Sequence, residues 1–346
     1  MKTYRVKSLF IALGMLWLLC TACEQILFPP PYQNDPEGNF EAFWQEFDQL
    51  YGLFQVREVN WDEIYAEFRP QVDPQTTDEE LYHILVTMLE RLDDSHIGLI
   101  PIGTDLPQYI GGPLGRIDTI QDFELEVVQT HYLRQSQDTE YFMHYGWLED
   151  SIGYLHIYGF SDGEKTFDQE TAEVLEVLGD AKGIVVDIRG GYGGEDIGAR
   201  TIASYFADRR RLFMTNRVKN GPEKDDFTEP NEWHVAPRGE TPYTKPIVLL
   251  TNRQTLSARE VFQLAMMTFP HVTVMGDTTA GGFSNNILRE LPNGWAYSMS
   301  IGDWRAADGT SYEGRGIPPQ ILIQNQREDL LLGKDQALEQ AIRWLK

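Results

Sequence analysis

The sequence predicts an α/β fold: a largely parallel sheet with flanking helices, preceded by a small helical unit. From about residue 152 onward, continuous apolar strands alternate with amphipathic helices, a pattern typical of buried parallel strands. Between residues 39 and 96, apolar residues recur at helical spacing instead. The 346 residues, 42% of them hydrophobic, suffice for one large domain or two small ones.

The first 22 residues have the features of a secretory signal. Three cations precede an apolar run, Leu9 to Leu19, that is too short to span a bilayer. Small residues then lead to Cys23, which resembles a bacterial lipoprotein box, although Cys20 stands where a leucine is usual. The resemblance implies a signal peptide over 1–22 and a lipid on Cys23; ordinary cleavage without lipid is the alternative. Because both cysteines lie here, a disulfide framework and a catalytic thiol in the folded body are excluded.

The composition also restricts the partners. The chain has 29 Lys and Arg against 53 Asp and Glu, a formal charge of −24. So acidic a surface should bind neither nucleic acid nor anionic lipid. Membrane contact is therefore expected from the anchor alone, in the bacterial cell envelope, either periplasmic or surface-exposed. There is no His-x-x-x-His pair or cysteine cluster, so we expect no metal and no cofactor.

A proline-rich tether over residues 23–38 is predicted to lead into a helical domain over residues 39–100. Aromatic residues from Phe40 to Tyr51 recur at three and four, with Asn39 as a plausible N-cap. A second helix begins at Thr77-Asp78-Glu79-Glu80, which is a capping-box pattern. We expect its apolar face to be buried.

Residues 101–150 are predicted as a β-rich connecting segment, in which paired strands from Phe123 to Trp147 flank a polar turn at Gln135 to Asp138. Residues 151–346 are predicted to form the α/β domain. Its predicted strands are Ile152–Ile157, Gly183–Arg189, Pro246–Thr251 and Val272–Met275, its helices Phe167–Leu178, Asp196–Phe206, Ser257–Thr268 and Asp335–Leu345, and its hairpin Asn286–Met299.

Three strand ends carry unusual residues, and sites in open α/β sheets gather at such ends. Four glycines between Asp187 and Gly194 can expose backbone N–H groups to an anion, or merely form a tight turn. Ser257 begins a helix shortly after a buried strand, so its hydroxyl lies near a helix N-terminus; a simple N-cap is the alternative. The stretch from Gly276 to Gly282 is the third, and a plain loop is the alternative.

Together these segments resemble peptidase family S41, which includes the C-terminal processing peptidases and the tricorn protease. The resemblance extends from about Ile152 to Ile323 and implies a serine-type peptidase with a ClpP/crotonase-like spiral ββα core. The similar segments are Asp187–Gly194, with Gly191 in place of the family's Asn, Ser257-Ala-x-Glu260, Gly276–Gly282 and Tyr312–Pro318.

The resemblance also indicates a branch of the family. Processing peptidases use a Ser/Lys dyad, and Gly282 stands where their lysine would lie; no lysine occurs between Lys245 and Lys334. The tricorn-like branch uses Ser-His with a second Ser and a Glu, which Ser95-His96 and Glu313 match. Residues 99–150 are too few for the PDZ domain of processing peptidases.

By this resemblance Ser257 is the nucleophile and His96 its base, and Glu313 orients the imidazolium through Ser95. The N–H groups of Ala258 and of Gly193 or Gly194 are expected to bind the oxyanion.

Asp187 and Arg189 are expected to hold the glycine turn, and Glu260 to have a structural role. The expected substrates are peptides or proteins of the envelope. The alternative is a catalytically silent member of the fold that binds peptides or apolar ligands. An acyl-CoA enzyme of the same fold is disfavoured because CoA is absent outside the cytoplasm.

Overall fold

The computed structural model describes residues 32–149, 151–160, 164–191 and 193–346. The predicted signal peptide, the predicted lipidation site Cys23 and most of the predicted tether lie outside this part of the chain. The helices in chain order are α1 (Pro36–Leu50), α2 (Phe54–Arg57), α3 (Trp61–Phe68), α4 (Asp78–Glu90), α5 (Leu125–His131), α6 (Glu164–Leu178), α7 (Asp196–Ser204), α8 (Ala258–Met266), α9 (Arg327–Leu331) and α10 (Gln336–Leu345).

Three sheets accompany these helices, and short 3₁₀ turns lie at Arg69–Gln71 and Leu114–Thr119. The strands are β1 (Gly98–Ile100), β2 (Tyr109–Ile110), β3 (Gln135–Asp138), β4 (Met143–Glu149), β5 (Ile152–Ile157), β6 (Gly183–Asp187), β7 (Arg211–Val218), β8 (Asn231–Val235), β9 (Ile247–Thr251), β10 (Val272–Gly276), β11 (Asn286–Glu290), β12 (Ala296–Ser300), β13 (Gly302–Ala306) and β14 (Ile321–Leu322).

The start of the helical unit differs from its prediction. Helix α1 begins at Pro36, inside the predicted tether, and Asp35 is its N-cap: the Asp35 side chain accepts a hydrogen bond from the Gly38 N–H at 2.7 Å. A proline is well suited to the first helical position, because its fixed φ is helical and its missing N–H is not needed there. The predicted N-cap, Asn39, therefore lies within the first turn, where it is buried. The predicted capping box of α4 is confirmed by Thr77 and Glu80.

The central sheet has seven strands in the order β14-β10-β9-β6-β5-β4-β3. Strands β14 to β5 pair in parallel, and β4 and β3 add antiparallel pairs. The strands β5, β6 and β9 are buried along their whole length, as their continuous apolar sequences require. The predicted largely parallel sheet is therefore confirmed, and it includes two strands from the segment before residue 151.

The segment before this sheet contains two errors of prediction. Leu125–His131 is helix α5 rather than a strand, and Gln135–Asp138, the predicted turn, is itself the edge strand β3. All four residues of β3 are exposed. Because an edge strand that faces water on its free side needs no apolar residues, its polar sequence is indistinguishable from a turn.

The helical unit shares its core and a sheet with the later hairpin. The four-stranded antiparallel sheet has the order β11-β12-β1-β2, so strands from both halves of the chain pair directly. Tyr297 of β12 packs against Phe43 and Phe47 of α1, with ring centroids 5.3 and 5.8 Å apart. This shared sheet holds the loop after α4, which contains Ser95 and His96, against the rest of the molecule.

A third sheet, β13-β7-β8, was not anticipated from the sequence. Strand β13 follows β12 after one residue, so the chain passes directly from one sheet into the next. Trp304 of β13 stacks near Trp233 of β8 at 6.0 Å and also lines the cavity described below. No helix among the described residues combines the length and apolar character needed to cross a membrane.

Candidate active site

Ser257 lies in a strained turn between β9 and α8. Its backbone has φ +59° and ψ −124°, and it is one of three non-glycine residues with positive φ among those described. Such a conformation costs on the order of 1–3 kcal/mol and persists only where the surroundings enforce it. A sharp turn from strand to helix presents a serine hydroxyl outward, away from the helix it begins. The strain thus distinguishes Ser257 from an ordinary N-cap serine, whose φ is negative.

The side chain of Glu260 holds this turn. One carboxylate oxygen accepts the N–H groups of Ser257 at 3.1 Å and Gly282 at 2.8 Å. The other accepts the N–H of Gly281 at 2.7 Å and the hydroxyl of Thr279. Complete burial raises the pKa of Glu260 to about 7, and these hydrogen bonds oppose the rise. Glu260 therefore ties the Ser257 turn to the loop after β10. This agrees with the structural role expected for Glu260, and the Ser-x-x-Glu capping-box spacing is the signal for its contact with Ser257.

The structure brings His96 to Ser257 across 161 residues of sequence. The imidazole Nε2 lies 3.3 Å from the Ser257 Oγ. The backbone N–H of His96 donates to the Asp94 carboxylate at 2.8 Å, which fixes the loop. The buried Nδ1 has no hydrogen-bond partner within the described part of the chain. Burial lowers the pKa of His96 below its ordinary value, Asp94 opposes this effect, and Arg57 adds to it.

Gly282 occupies the position at which the processing peptidases are expected to have their lysine, and it leaves space there for His96. A Cβ at this position would lie 2.6 Å from the Leu256 Cδ1 and 3.5 Å from the His96 Cε1. A side chain at residue 282 would thus compete with the imidazole for the same volume beside Ser257. This packing gives a physical reason for a histidine and a glycine to occur together here.

The predicted contact from Glu313 through Ser95 to His96 is not made by the described residues. The Glu313 carboxylate instead pairs with Arg57 and accepts the backbone N–H of Phe283. The Ser95 hydroxyl accepts the N–H of Leu114 at 3.3 Å. The reason is competition: a buried guanidinium is the strongest partner available to a carboxylate. Glu313 therefore lies in the same assembly as His96 but acts on the loops that enclose it.

Arg57 and Asp94 complete this assembly, and nothing in the sequence marks either residue. The Arg57 guanidinium also donates to the backbone carbonyls of Leu92 at 3.0 Å and Asp93 at 2.7 Å, the residues that lead into the His96 loop. Tyr51 donates to Asp94 at 3.0 Å. Burial and Asp94 raise the pKa of Glu313, while Arg57 lowers it. Both sides of the His96 loop are thus held by buried charges.

The glycine turn after β6 lies directly over Ser257. A Cβ at Gly193 would be 2.5 Å from the Ser257 Cβ and 2.9 Å from the Ala258 nitrogen. Gly194 has φ +141°, and a Cβ there would be 2.4 Å from the Phe160 backbone. Only glycine fits at both positions. The backbone of the turn and the first N–H of α8 therefore meet at Ser257, next to its Oγ.

Asp187 and Arg189 stand below this turn and are buried. Arg189 donates to Asp187 at 2.7 Å and to Asp335, the N-cap of α10, at 2.8 Å. Burial favours the neutral acid, but the charge and hydrogen bonds of Arg189 keep the pKa of Asp187 below its usual value. Arg259, also buried, donates to the carbonyl of Ile188 at 2.7 Å. Both arginines fix the backbone of the turn and neither reaches Ser257.

Ser257 and His96 open into a cavity of about 220 Å³. Val261, Phe283 and Trp304 supply its apolar wall, and Asp196 lines it from the start of α7. The described residues contain no cluster of His, Cys, Asp and Glu side chains placed to hold a metal ion. The site therefore contains a serine, a histidine and backbone N–H groups close together, and acyl transfer by a serine uses these groups.

The chain is similar to known peptidases. The profile of peptidase family S41 matches residues 151–323, and that of the tricorn protease C1 domain matches residues 32–90. The carboxy-terminal processing protease CtpA of Bacillus subtilis is 31% identical over 173 residues, and that of Bartonella bacilliformis is 26% identical over 197 residues. The matches cover 50% and 55% of this chain but 35% and 43% of these relatives, so the chain spans less than half of their length.

Solved structures extend the likeness beyond the catalytic half. A crystal structure of a candidate peptidase from Parabacteroides merdae is 31% identical, with a TM-score of 0.79 over 90% of this chain and 97% of that one. Mature CPAF, 11% identical, shares the fold with a TM-score of 0.71 over 90% of this chain and 96% of its own. The predicted fold class is therefore confirmed. With a profile that covers half of it and a solved relative that covers nine-tenths, the chain belongs to peptidase family S41, a family of serine-type peptidases.

Proposed function

We propose that this protein is a serine peptidase that hydrolyses peptide bonds in proteins or peptides of the bacterial cell envelope, with Ser257 as nucleophile and His96 as base. The observation that carries the proposal is the 3.3 Å approach of the His96 Nε2 to the Ser257 Oγ at a strained turn. Catalytic hydrogen bonds are often this long before substrate binds and tighten in the complex.

The first step follows from this pair. His96 removes the proton of Ser257 as the Oγ attacks the carbonyl carbon of the scissile bond, and then gives it to the leaving amine. The base must be neutral to accept a proton. Burial of the imidazole supports this role, because it lowers the pKa of His96 and keeps the ring unprotonated at neutral pH.

The negative oxygen of the tetrahedral intermediate needs donors beside Ser257. The N–H of Ala258 and that of Gly193 or Gly194 are proposed to supply them, since the glycine backbone and the start of α8 meet there. Backbone donors held by a rigid turn need no rearrangement during the reaction. The buried Arg189 and Arg259 support the proposal because they immobilise the turn.

Glu313 and Ser95 are proposed as positioning residues. Glu313 accepts the N–H of Phe283, the neighbour of Gly282, and pairs with Arg57. Arg57 in turn donates to the backbone carbonyls of Leu92 and Asp93. The loops on both sides of the imidazole therefore depend on one carboxylate. Ser95 contributes by accepting the Leu114 N–H, which fixes the opposite face of the same loop.

Residues 1–22 are proposed as a lipoprotein signal peptide and Cys23 as the acylated residue, which would tether the enzyme to a membrane of the envelope. A Cys23→Ala variant should appear in the soluble fraction or remain unprocessed. A mature protein that begins elsewhere and carries no lipid by mass spectrometry would contradict the anchor, and would leave the proposed chemistry untouched.

The decisive experiment is labelling with a fluorophosphonate probe, which reacts only with an activated serine. Wild-type protein should be labelled and should cleave an unfolded protein substrate, whereas Ser257→Ala should do neither. Ser284→Ala is the matched control, because Ser284 lines the same cavity and should not be the reacting serine. Equal labelling of wild type and Ser257→Ala would refute the proposal, and a folded wild type that is never labelled would favour the catalytically silent alternative.

A further inference from the structure

The cavity beside Ser257 contains a carboxylate that the proposed chemistry does not use. Asp196 lines it together with Ser257 and His96. A volume of about 220 Å³ is smaller than the pockets that enclose whole ligands, about 300–1,000 Å³, and suits a single side chain. A cavity of this size next to a nucleophile is placed to receive one side chain of the peptide being cut.

Asp196 has no partner of its own in this cavity. It forms no hydrogen bond or ion pair with another described residue. Arg200, one helical turn further along α7, does not line the cavity, and its guanidinium lies 5.5 Å from the ring of Trp233. The charged neighbour that shifts its pKa is Glu195, which is exposed and of the same sign. Burial, with a smaller contribution from Glu195, raises the pKa of Asp196 to about 7.

The rest of the wall fits a long cationic side chain. Val261, Phe283 and Trp304 offer apolar surface to methylene groups, and lysine and arginine carry three or four of these below their charge. No lysine or arginine lines the cavity, and His96 is its one basic side chain among the described residues. A partly buried carboxylate without a counterion is costly, and a substrate cation would remove that cost.

We propose that Asp196 selects substrates with a lysine or arginine side chain next to the scissile bond. This inference rests on the proposed peptidase function and names its substrate class. Asp196 contacts the substrate cation rather than the reacting atoms, so it determines specificity and leaves the chemistry of Ser257 and His96 unchanged. The strongly acidic chain, with its formal charge of −24, would also attract basic peptides.

The binding test uses the Ser257→Ala protein, so that nothing is cleaved. Two peptides that differ only in lysine or norleucine at the central position are compared by calorimetry, because norleucine keeps the methylene chain and lacks the charge. The lysine peptide should bind roughly 10- to 100-fold more tightly, the range for a hydrogen bond to a charged partner. Adding Asp196→Asn should abolish the difference, whereas adding Glu195→Gln, at the exposed neighbour, should preserve it.

The kinetic test uses the active enzyme and the ratio of kcat/KM for the two peptides. The ionisation of His96 affects both substrates equally and cancels in this ratio. The ratio should therefore rise with pH through about 7 as Asp196 ionises. The ratio should be independent of pH in Asp196→Asn. A wild-type ratio near one, or a lysine preference that survives Asp196→Asn, would overturn the inference.

The two proposals fail separately. If the probe labels Ser257 but lysine and norleucine peptides bind equally, the role of Asp196 is wrong and the peptidase stands. If lysine peptides bind through Asp196 but the probe never labels Ser257, the pocket stands and the peptidase proposal is wrong.

Discussion

Replacing Glu260 by glutamine tests whether one buried carboxylate positions both of the proposed catalytic residues, Ser257 and His96. The carboxylate accepts four hydrogen bonds, two on each oxygen. The amide keeps one acceptor oxygen, and its best orientation leaves that oxygen on the N–H groups of Ser257 and Gly282. The amide nitrogen then faces the N–H of Gly281 and the hydroxyl of Thr279, which already accepts the Ile317 N–H at 2.7 Å.

The size of the effect follows from these contacts. One stranded buried N–H costs about 1–3 kcal/mol. For a chain of this length that corresponds to a fall in Tm of roughly 2–10 °C. Because the loop beside His96 loses its anchor at Gly281, kcat should also fall by roughly 10- to 100-fold, since small misplacements of catalytic groups are this costly.

Thermal unfolding and steady-state kinetics of the same preparations measure both effects. Glu170→Gln is the matched control: Glu170 is a buried carboxylate that accepts the N–H groups of Tyr141 at 2.7 Å and Phe142 at 3.1 Å, outside the candidate site. It should lower Tm and leave kcat unchanged. If Glu260→Gln behaves in the same way, Glu260 is merely structural, and if it changes neither quantity, the reasoning from its hydrogen bonds is refuted.

Three further predictions concern the base, the ion pair and the oxyanion site. Burial lowers the pKa of His96, and only the neutral ring accepts a proton, so kcat/KM should fall at acid pH with an apparent pKa below about 6.5. His96→Ala should remove this pH dependence and nearly all activity. An apparent pKa above about 6.5 would count against burial as the cause. Arg57→Met should destabilise the protein by about 3–5 kcal/mol in denaturant unfolding, because it leaves Glu313 buried without its cationic partner. Arg57→Met with Glu313→Leu should recover part of that loss, and strictly additive losses would contradict the pairing. Gly193→Ala should abolish probe labelling, because the new methyl group would overlap Ser257. The far-ultraviolet circular dichroism of this variant should stay native. Normal labelling would show that the turn is more open than its geometry indicates.

Most of the α/β part could be predicted because its signals are local. A strand buried on both faces is mostly apolar, so β5, β6 and β9 are visible in the sequence as short, largely apolar runs. The glycines and Ser257 at the strand ends likewise predict that these loops meet, and in the structure the glycine turn after β6 lies against Ser257. The predicted and observed boundaries of the elements differ by a few residues. Pro36, for example, is the first residue of α1 and lies within the predicted tether.

The parts that could not be predicted depend on contacts between distant segments. Arg57 lies 256 residues from Glu313, and nothing near either residue indicates the other. The expected contacts from Glu313 through Ser95 to His96 were wrong for this reason. Glu313 pairs instead with Arg57, a stronger partner at the end of α2, and the sequence of α2 indicates only a packed helix. Strand β3, and strand β8 of the third sheet, have exposed polar residues and show no apolar pattern in the sequence.

The sheet that joins β1 and β2 to the hairpin of β11 and β12 has a consequence for the timing of activity. The proposed base, His96, and the proposed nucleophile, Ser257, belong to segments made far apart in time during synthesis. The ion pair between Arg57 and Glu313, which holds the His96 loop, forms only after Glu313 has been made. A chain still being translated or exported therefore carries its serine without a working partner. In the proposed mechanism, latency therefore ends only when the two halves dock.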